Sequence, residues 1–146
     1  MPYTASARCG GADYELEDDG TVTVINSYLE GDKYSTANGS IYCDNDGTGQ
    51  CHVRFSKFQP WGDYKILATD YDTYAVVWSC SNFLFFNYQL SWVLGRDIDV
   101  DSDSLLENYI YNQTTLTADD FVKDDNTNCP AQASVEKEVY LRGANE

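Results

Sequence analysis

The feature that most restricts the fold is a series of short β-type segments separated by turn sequences. The segments are ADYEL, TVTVINSYL, ANGSIYC, CHVRFSKF, DYKILATD, YAVVWSC and NYQLSWVLGR. Asn and Asp next to Gly, as in EDDGT and CDNDGTGQC, supply the positive φ angles that tight hairpin turns need. Short strands joined by hairpin connections predict an antiparallel all-β sandwich or barrel.

The last of these segments shows the clearest alternation of side chains. The face that this alternation predicts to point inward carries Tyr88, Leu90, Trp92, Leu94 and Arg96. Aromatic and charged groups accompany the leucines on that face. We therefore expect an interior that is not purely aliphatic.

One helix is predicted at residues 101–113, with the sequence DSDSLLENYIYNQ. Asp and Ser are preferred N-cap residues, and acidic side chains favour the first turn of a helix. Leu105, Leu106, Tyr109 and Ile110 then fall on one stripe at helical spacing. A second short turn is predicted near residues 118–123. Many antiparallel strands and one helix fit a closed barrel with the helix packed outside, and such a barrel has room for one small ligand.

Composition limits the size of the protein and its partners. The 146 residues predict a single domain over 1–146, and 42% hydrophobic with 14% aromatic residues argue against disorder. The net charge of −15 repels phosphate groups, which excludes nucleic acid and disfavours anionic membranes as partners. No apolar run reaches the ~18 residues of a membrane-spanning helix, so no membrane span is predicted.

The chain offers little for catalysis. His52 is the single histidine, and it neighbours Cys51 in a predicted strand. A Ser-His or Cys-His pair would have to use it, and the sequence contains no G-x-S-x-G nucleophile turn. A metal site needs a cluster of His or Cys ligands, which one histidine and disulfide-bound cysteines do not supply. We predict a protein that is not an enzyme and binds no metal.

The acidic run RDIDVDSDS has part of the spacing of a calcium loop. Asp97, Asp99 and Asp101 match the first, third and fifth ligand positions of an EF-hand. However, Ser102 stands where that loop needs glycine, and Asn108 stands where it needs a bidentate glutamate. We interpret the run as a solvated loop that caps the helix.

Five cysteines in a short chain predict an oxidising compartment. Cys43 and Cys51 flank a seven-residue turn, so antiparallel strands bring them together in a hairpin disulfide. The sequons at Asn38 and Asn112 are glycosylation candidates in a secreted protein. The N-terminal sequence MPYTASARCGG lacks the apolar core of a secretory signal, so we expect a mature or trimmed form of a secreted chain.

Four side chains with polar tips or aromatic rings lie on strands that are otherwise rich in Val, Ile and Leu. They are Tyr14, Asn26, Tyr88 and Trp92. Apolar cavities with a few placed polar groups are how small-molecule sites are built. The same aromatic residues could also fill a core, and the residue pattern leaves the two interpretations open.

Four ordered blocks between Cys9 and Pro130 resemble the lipocalins, in particular the apolipoprotein D and insect-type biliprotein branch. ILATDYDTYAVVWSC resembles the T-D-Y block, here Thr69, Asp70 and Tyr71, and SWVLGR resembles the third block with its arginine, here Arg96. CGGADYELEDDGTVTVINS resembles the second and third strands of that branch, and TNCP resembles its C-terminal cysteine segment. Residues 131–146 form a tail outside the resemblance.

The resemblance implies an eight-stranded up-and-down barrel with a C-terminal helix, in a secreted carrier of a small apolar ligand. Tyr14, Asn26 and Trp92 match residues that line the pocket in this branch. The predicted ligand contacts are Tyr14, Val24, Asn26, Tyr88, Leu90 and Trp92.

Bilins, carotenoids, steroids and fatty acids are the candidate ligands. No cofactor is required, and a bound chromophore or lipid such as biliverdin fits the expectation. Lys57, Arg54 and Lys65 are candidates to bind the propionates of a bilin. The alternative function is a secreted, acidic protein-interaction module with a filled barrel and no ligand.

The chain departs from the family pattern at its start, because the G-x-W block of the first strand is absent. Arg96 would then lack the tryptophan that covers the matching arginine in the family. Two barrel edges would also remain unpaired, which proteins normally avoid. Three outcomes are open: a seven-stranded open barrel, a homodimer through the open edge, or a substitute strand from Val135 to Leu141.

The resemblance also implies a pairing for the other cysteines. Cys9 and Cys129 match a bridge between a strand and the tail of the branch. The family partner of Cys80 precedes the first strand and has no counterpart here. Cys80 is therefore predicted to be a free thiol in a monomer or to bridge two chains of a homodimer.

Overall fold

Eight β-strands are the main elements of the fold in a computed structural model that describes residues 7–83, 86–130 and 136–139. The described part also contains one α-helix, α1, at Ser102–Tyr109 and a 3₁₀ turn at Ala118–Asp120. The strands are β1 (Ala7–Leu16), β2 (Val22–Glu30), β3 (Lys33–Cys43), β4 (Gln50–Arg54), β5 (Gly62–Thr69), β6 (Tyr74–Phe83), β7 (Phe86–Gly95) and β8 (Glu136–Val139). The seven predicted β segments correspond to β1–β7.

The strands form a closed up-and-down barrel in which each strand pairs with its neighbours in sequence. All of the pairings are antiparallel, which confirms the predicted fold class. The β2–β3 and β4–β5 connections lie at one end of the barrel, which we name the upper end. The β1–β2, β3–β4 and β5–β6 turns lie at the opposite, lower end.

The last strand closes the barrel. Within the described residues, β8 pairs with β1 through Ala12 and Glu136 and with β7 through Val93 and Val139. Of the three arrangements left open by the sequence, this is the substitute strand. The open edge that would have joined two chains is therefore occupied by β8.

Two apolar clusters lie on opposite sides of the barrel wall. The outer cluster joins β6 and β7 to α1 and the segment after it, and its buried members are Val76, Val93, Leu106, Ile110 and Leu116. The inner cluster lies in the barrel interior, and its buried members are Ala12, Val24, Ile41 and Cys51. The predicted stripe of the helix therefore packs against the outside of the sheet.

Helix α1 begins where the sequence predicts and ends earlier. The side chain of Asp101 caps it by accepting a hydrogen bond from the backbone N–H of Ser104, 3.1 Å away. After Tyr109 the chain turns, because Asn112 Nδ2 and Thr114 Oγ1 donate to the carbonyls of Glu107 and Ile110. The backbone N–H of Tyr111 bonds to the carbonyl of Leu106 instead of that of Glu107, so the regular helical pattern ends before residue 113. None of the helical segments described is both long and apolar enough to cross a lipid bilayer.

A segment from Asp124 to Cys129, here called the strap, is fastened to the outside of β1. The Cys9–Cys129 disulfide joins them covalently, with a Cα–Cα distance of 5.6 Å. The N–H of Gly10 donates to Asp124 Oδ2 over 2.8 Å, and the N–H of Cys9 donates to the carbonyl of Asp125 over 3.0 Å. The pairing implied by the family resemblance is thus present, and a buried carboxyl group accompanies it.

Asp124 is only 8% exposed, and its Oδ1 has no hydrogen-bond partner within the described part of the chain. Burial raises the pKa of this carboxyl from its ordinary value of 3.8 to about 6, and the neighbouring charge of Asp125 adds to the rise. Asp125 itself is exposed, and its pKa is lowered by hydrogen bonds from Thr127. The pKa values of these two neighbouring carboxyl groups are therefore shifted in opposite directions.

Of the other three cysteines, two form a second disulfide and one is a free thiol. Cys43 and Cys51 form the hairpin disulfide across β3 and β4, where they are direct strand partners. Cys80 on β6 is a half-buried free thiol. Burial and the nearby charge of Asp63 raise its pKa.

The strap should make stability depend on pH through Asp124. A carboxyl with a raised folded-state pKa stabilises the fold fully below pH 3.8, and that stabilisation is lost as the pH rises through about 6. The Asp124→Asn substitution should therefore raise the free energy of unfolding relative to wild type more at pH 7.5 than at pH 4, by about 2 kcal/mol. Urea unfolding at both pH values measures this difference.

Asp125→Asn is the matched control, because its lowered pKa predicts the opposite sign. It should lose stability relative to wild type at neutral pH and converge with wild type in acid. Equal pH profiles for wild type and Asp124→Asn would contradict the role of Asp124.

Thiol titration tests the state of Cys80. The unfolded, non-reduced monomer should show one reactive thiol per chain, which Cys80→Ser removes. In the folded protein the same thiol should react slowly with alkylating agents at neutral pH, because its raised pKa leaves little thiolate. A covalent dimer that Cys80→Ser abolishes would instead show that Cys80 bridges two chains, and finding neither would contradict the pairing.

Candidate ligand-binding site

The strand register identifies the side chains that face the barrel interior. Val76 and Val93 pack on α1, so their sequence neighbours on β6 and β7 point the other way, into the barrel. Tyr14 is the strand partner of Val24, which belongs to the inner cluster. By this register the structure places all six predicted contacts on the inward face: Tyr14, Val24, Asn26, Tyr88, Leu90 and Trp92. Their contact with a ligand stays a prediction.

A hydrogen bond between two tyrosines crosses the interior. The hydroxyl oxygens of Tyr14 on β1 and Tyr64 on β5 are 2.9 Å apart. These strands are four positions apart in the eight-stranded barrel, so the pair joins opposite walls. The ring of Trp92 lies beside Tyr64, with centroids 6.3 Å apart and planes inclined at 30°.

Three interior residues were not among the predicted contacts. Tyr64, Phe55 and Ile66 pack against the inner cluster. The alternation in DYKILATD places Tyr64 and Ile66 on one face and could have indicated them. Phe55 carries the same signal, because it continues the alternation of Cys51 and Val53 beyond the end of β4; its ring covers Gly39, where an added Cβ would lie 2.8 Å away.

Several large side chains that face the interior keep solvent-accessible surface, unlike the residues directly under the helix. Val76, Val93 and Ile110 under the helix are each 0% exposed. In contrast, Tyr14, Asn26, Tyr64, Tyr88 and Trp92 point into the barrel and are only half-buried. Inward side chains that keep solvent-accessible surface are consistent with a chamber open to a small ligand, since a completely filled core would cover them.

The cations proposed for bilin propionates do not face this chamber. Arg54 stacks its guanidinium on the ring of Trp61, 4.3 Å from the centroid, on the outside of the barrel. Lys65 is the strand partner of Trp78, which belongs to the outer cluster. Lys57 is exposed in the β4–β5 connection. The expected propionate contacts are therefore wrong for Arg54 and Lys65, because the pleat turns both side chains outward.

The T-D-Y block forms the β5–β6 turn at the lower end of the barrel. Asp70 Oδ1 accepts hydrogen bonds from three backbone N–H groups, at 3.0 Å from Asp72, 2.7 Å from Thr73 and 3.0 Å from Tyr74. The Thr73 hydroxyl donates to Asp70 Oδ2. The bond from the Thr73 hydroxyl, followed by those from the backbone, holds the pKa of Asp70 well below its usual range. The turn is thus organised around one ionised carboxylate.

Arg96 lies at the same end of the barrel and is exposed. Its Nη2 donates to the carbonyl of Tyr71 over 3.2 Å, and Tyr71 adopts a positive φ of 67°. A cavity of about 140 Å³ opens beside it. The cavity is lined by Thr69, Tyr71, Tyr74, Ala75, Leu94, Gly95 and Arg96.

The two sequons are exposed and lie away from the chamber. Asn38 is on the outward face of β3, and Asn112 lies in the turn after α1. Their glycosylation stays a prediction.

His52 is on the outer wall, where it stacks on Tyr42 with ring centroids 4.6 Å apart and approaches Asp44 Oδ1 at 3.3 Å. The described residues contain no group of three or more His, Cys, Asp or Glu side chains able to hold a metal ion.

An up-and-down barrel with an accessible, aromatic interior and a helix packed outside defines a small-molecule binding barrel. The family model of the Lipocalin / cytosolic fatty-acid binding protein family matches residues 1–128, and the chain belongs to this family. Proteins of this family are generally carriers of small hydrophobic ligands and are generally not enzymes.

Curated relatives place the chain near the apolipoprotein D and insect branch. It is 31% identical to apolipoprotein D of Rattus norvegicus over 127 residues, covering 84% of this chain and 67% of the relative. It is 30% identical to the Lazarillo protein of Schistocerca americana over 102 residues, covering 66% of this chain and 47% of the relative. The chain spans about two thirds of the length of the apolipoprotein D relatives.

Solved structures support the fold alone. Apocrustacyanin C2 superposes with a TM-score of 0.68 at 20% identity, covering 92% of this chain and 76% of that one. Lobster apocrustacyanin A1 gives a TM-score of 0.57 at 20% identity, covering 75% of this chain and 64% of that one.

The contribution of the T-D-Y turn to stability should depend on the acceptor oxygen of residue 70 more than on the charge of that residue. Asp70→Ala removes the acceptor of three backbone N–H groups and should lower the denaturation midpoint clearly at neutral pH. Asp70→Asn keeps one such oxygen, so its denaturation midpoint should fall less than that of Asp70→Ala. Thermal unfolding at neutral pH compares the two, and equal losses would contradict this account.

Proposed function

We propose that this protein is a secreted carrier that binds a small hydrophobic ligand inside the barrel. The observation that carries the proposal is the accessible interior, where aromatic and amide side chains face inward and remain half-buried. Membership of a family of small-ligand carriers supports the same function.

The inward side chains have distinct roles in this proposal. Trp92 and Tyr14 provide flat apolar contact, and the amide of Asn26 offers a donor and an acceptor to a polar group of the ligand. Leu90 adds aliphatic surface, and Tyr88 adds a ring nearer the upper end. Val24, which is only 2% exposed, supports the wall from within the inner cluster. Micromolar affinity corresponds to about 8 kcal/mol. At roughly 25 cal/mol per Å², a few hundred square ångströms of apolar burial supply it.

Ligands with an uncharged body fit this interior best. A buried carboxylate without a nearby cation carries a large desolvation cost, and Arg54 and Lys65 point away from the chamber. Carotenoids and steroids are therefore better matched than bilins or fatty acids, whose carboxylates would have to stay at the mouth of the barrel. A bilin such as biliverdin is the less favoured candidate.

Secretion is part of the proposal. Two disulfides, one of which closes a loop of 120 residues, are typical of proteins that mature in an oxidising compartment. The exposed positions of Asn38 and Asn112 would allow glycosylation there.

Quenching of tryptophan fluorescence tests the carrier function. The chain has three tryptophans, and Trp61 and Trp78 lie on the outside of the barrel while Trp92 lies inside. Retinol, a sterol and a carotenoid should each be tried, and at least one should quench saturably with micromolar or better affinity. Trp92→Phe should remove most of the quenching, whereas the matched control Trp61→Phe should retain it.

Saturable quenching that survives Trp92→Phe would place the ligand outside the chamber. The absence of saturable quenching by every ligand class would contradict the carrier function. It would favour the acidic interaction module instead.

A further inference from the structure

The hydrogen-bonded tyrosine pair in the middle of the chamber limits the space that a ligand can occupy. Tyr14 and Tyr64 come from opposite walls, and their hydroxyl oxygens meet at 2.9 Å. An eight-stranded barrel is only wide enough for side chains from opposite walls to meet, so two joined tyrosines obstruct its cross-section. We name this pair the crossbar.

The crossbar has accessible space on both of its sides. Towards the upper end lie Asn26, Tyr88 and Leu90, which are inward-facing and half-buried. Towards the lower end lies the cavity of about 140 Å³, at the place where β5 and β7 end and β6 begins. Trp92 packs beside Tyr64 and widens the obstruction at the β7 wall.

We propose that the crossbar is the floor of the ligand chamber and sets the greatest length of ligand that the protein accepts. This inference rests on the proposed carrier function and adds a specificity determinant to it. A ligand that enters at the upper end stops at the rings of Tyr14 and Tyr64. The lower cavity stays separate while the crossbar is closed.

Strand geometry gives the depth of this chamber. From Trp92 to the start of β7 at Phe86 there are six residues. They cover about 20 Å along the strand at ~3.4 Å per residue. A strand tilt of ~35–45° reduces this to about 15 Å along the barrel axis. Compact ring systems such as steroids fit within such a depth, whereas a long extended chain, including that of a carotenoid, would have to project beyond the upper end of the barrel.

A homologous series of straight-chain alcohols measures the length limit. Uncharged alcohols from octanol to octadecanol differ only in length and avoid the cost of burying a carboxylate. Binding is followed by displacement of a fluorescent apolar probe from the intact protein. In wild type the affinity should rise with each methylene and then stop rising once the chain reaches the crossbar.

Variants of the crossbar should move that limit. Tyr14→Leu and Tyr64→Leu shorten the bar, and each should bind octadecanol about tenfold more tightly than wild type, because two further methylenes are buried at ~0.8 kcal/mol each. The matched control is Tyr42→Phe, on the outer wall, where the ring stacks on His52. Its length limit should equal that of wild type.

A readout without ligand shows whether the hydrogen bond exists in solution. Tyr14→Phe and Tyr64→Phe keep the rings and each remove one hydroxyl, so each should lower the thermal midpoint. The double variant should lose less than the sum of the two single losses, because the bond can be removed only once. Additive losses would contradict the crossbar even if the leucine variants failed to fold.

The outcomes separate this inference from the proposed function. If no alcohol displaces the probe from any variant, both the carrier function and the crossbar fail. If affinity rises with length through the whole series in wild type, or if the limit is unchanged in folded leucine variants, only the crossbar fails.

Discussion

Closure of the sheet is the constraint on which the rest of this structure depends. A β-strand with an unpaired edge exposes a row of backbone donors and acceptors, and a barrel removes both edges at once. Within the described residues, β8 contributes only four residues, yet it pairs with β1 on one side and β7 on the other. With that strand between β1 and β7, the seven strands β1–β7 can be joined by hairpin connections alone.

Once the barrel is closed, the pleat divides the side chains into two environments with different packing. On the outside of β6 and β7, helix α1 covers Val76 and Val93 completely, and this cluster is a conventional dense core. On the inside there is no second element to pack against, so side chains from opposite walls must meet one another or leave space. The interior therefore combines a small buried cluster around Val24 and Ile41 with aromatic rings that remain half-buried. The proposed carrier function rests on this incomplete filling.

Three sets of hydrogen-bonded polar groups lie in different parts of the fold: on the outer wall, inside the barrel and under the strap. On the outer wall, Trp78 donates to Gln89 Oε1 and Gln89 donates to Thr115 Oγ1, so these groups tie β6, β7 and the segment after α1 together. Inside, the tyrosine hydroxyls bond to each other across the chamber. On the far side of β1, the carboxyl of Asp124 is buried under the strap with only one of its oxygens bonded in the described chain. The first arrangement stabilises, the second shapes the binding space, and the third makes the strap sensitive to protonation.

Local sequence determined the elements that depend on neighbouring residues. The hairpin strands follow from alternation and Asx-Gly turns, the start of α1 follows from Asp101, and the Cys43–Cys51 bridge follows from the turn that it closes. The inward face of β7, with Leu90 and Trp92, follows from the period of a strand. Together with the ordered blocks from Cys9 to Pro130, these features were sufficient to predict the family and six of the side chains that face inward.

Only the tertiary structure decided contacts between residues that no local pattern connects. Tyr14 and Tyr64 are fifty positions apart, and their meeting depends on the diameter and closure of the whole barrel. The outward direction of Arg54 and Lys65 depends on the pairing of β3 with β4 and of β5 with β6, because register decides which face of a strand is inside. The burial of Asp124 depends on a disulfide that joins residues 120 positions apart. Sequence periodicity extends over one strand or helix, whereas these features arise from the closed barrel and from the chain that lies against it.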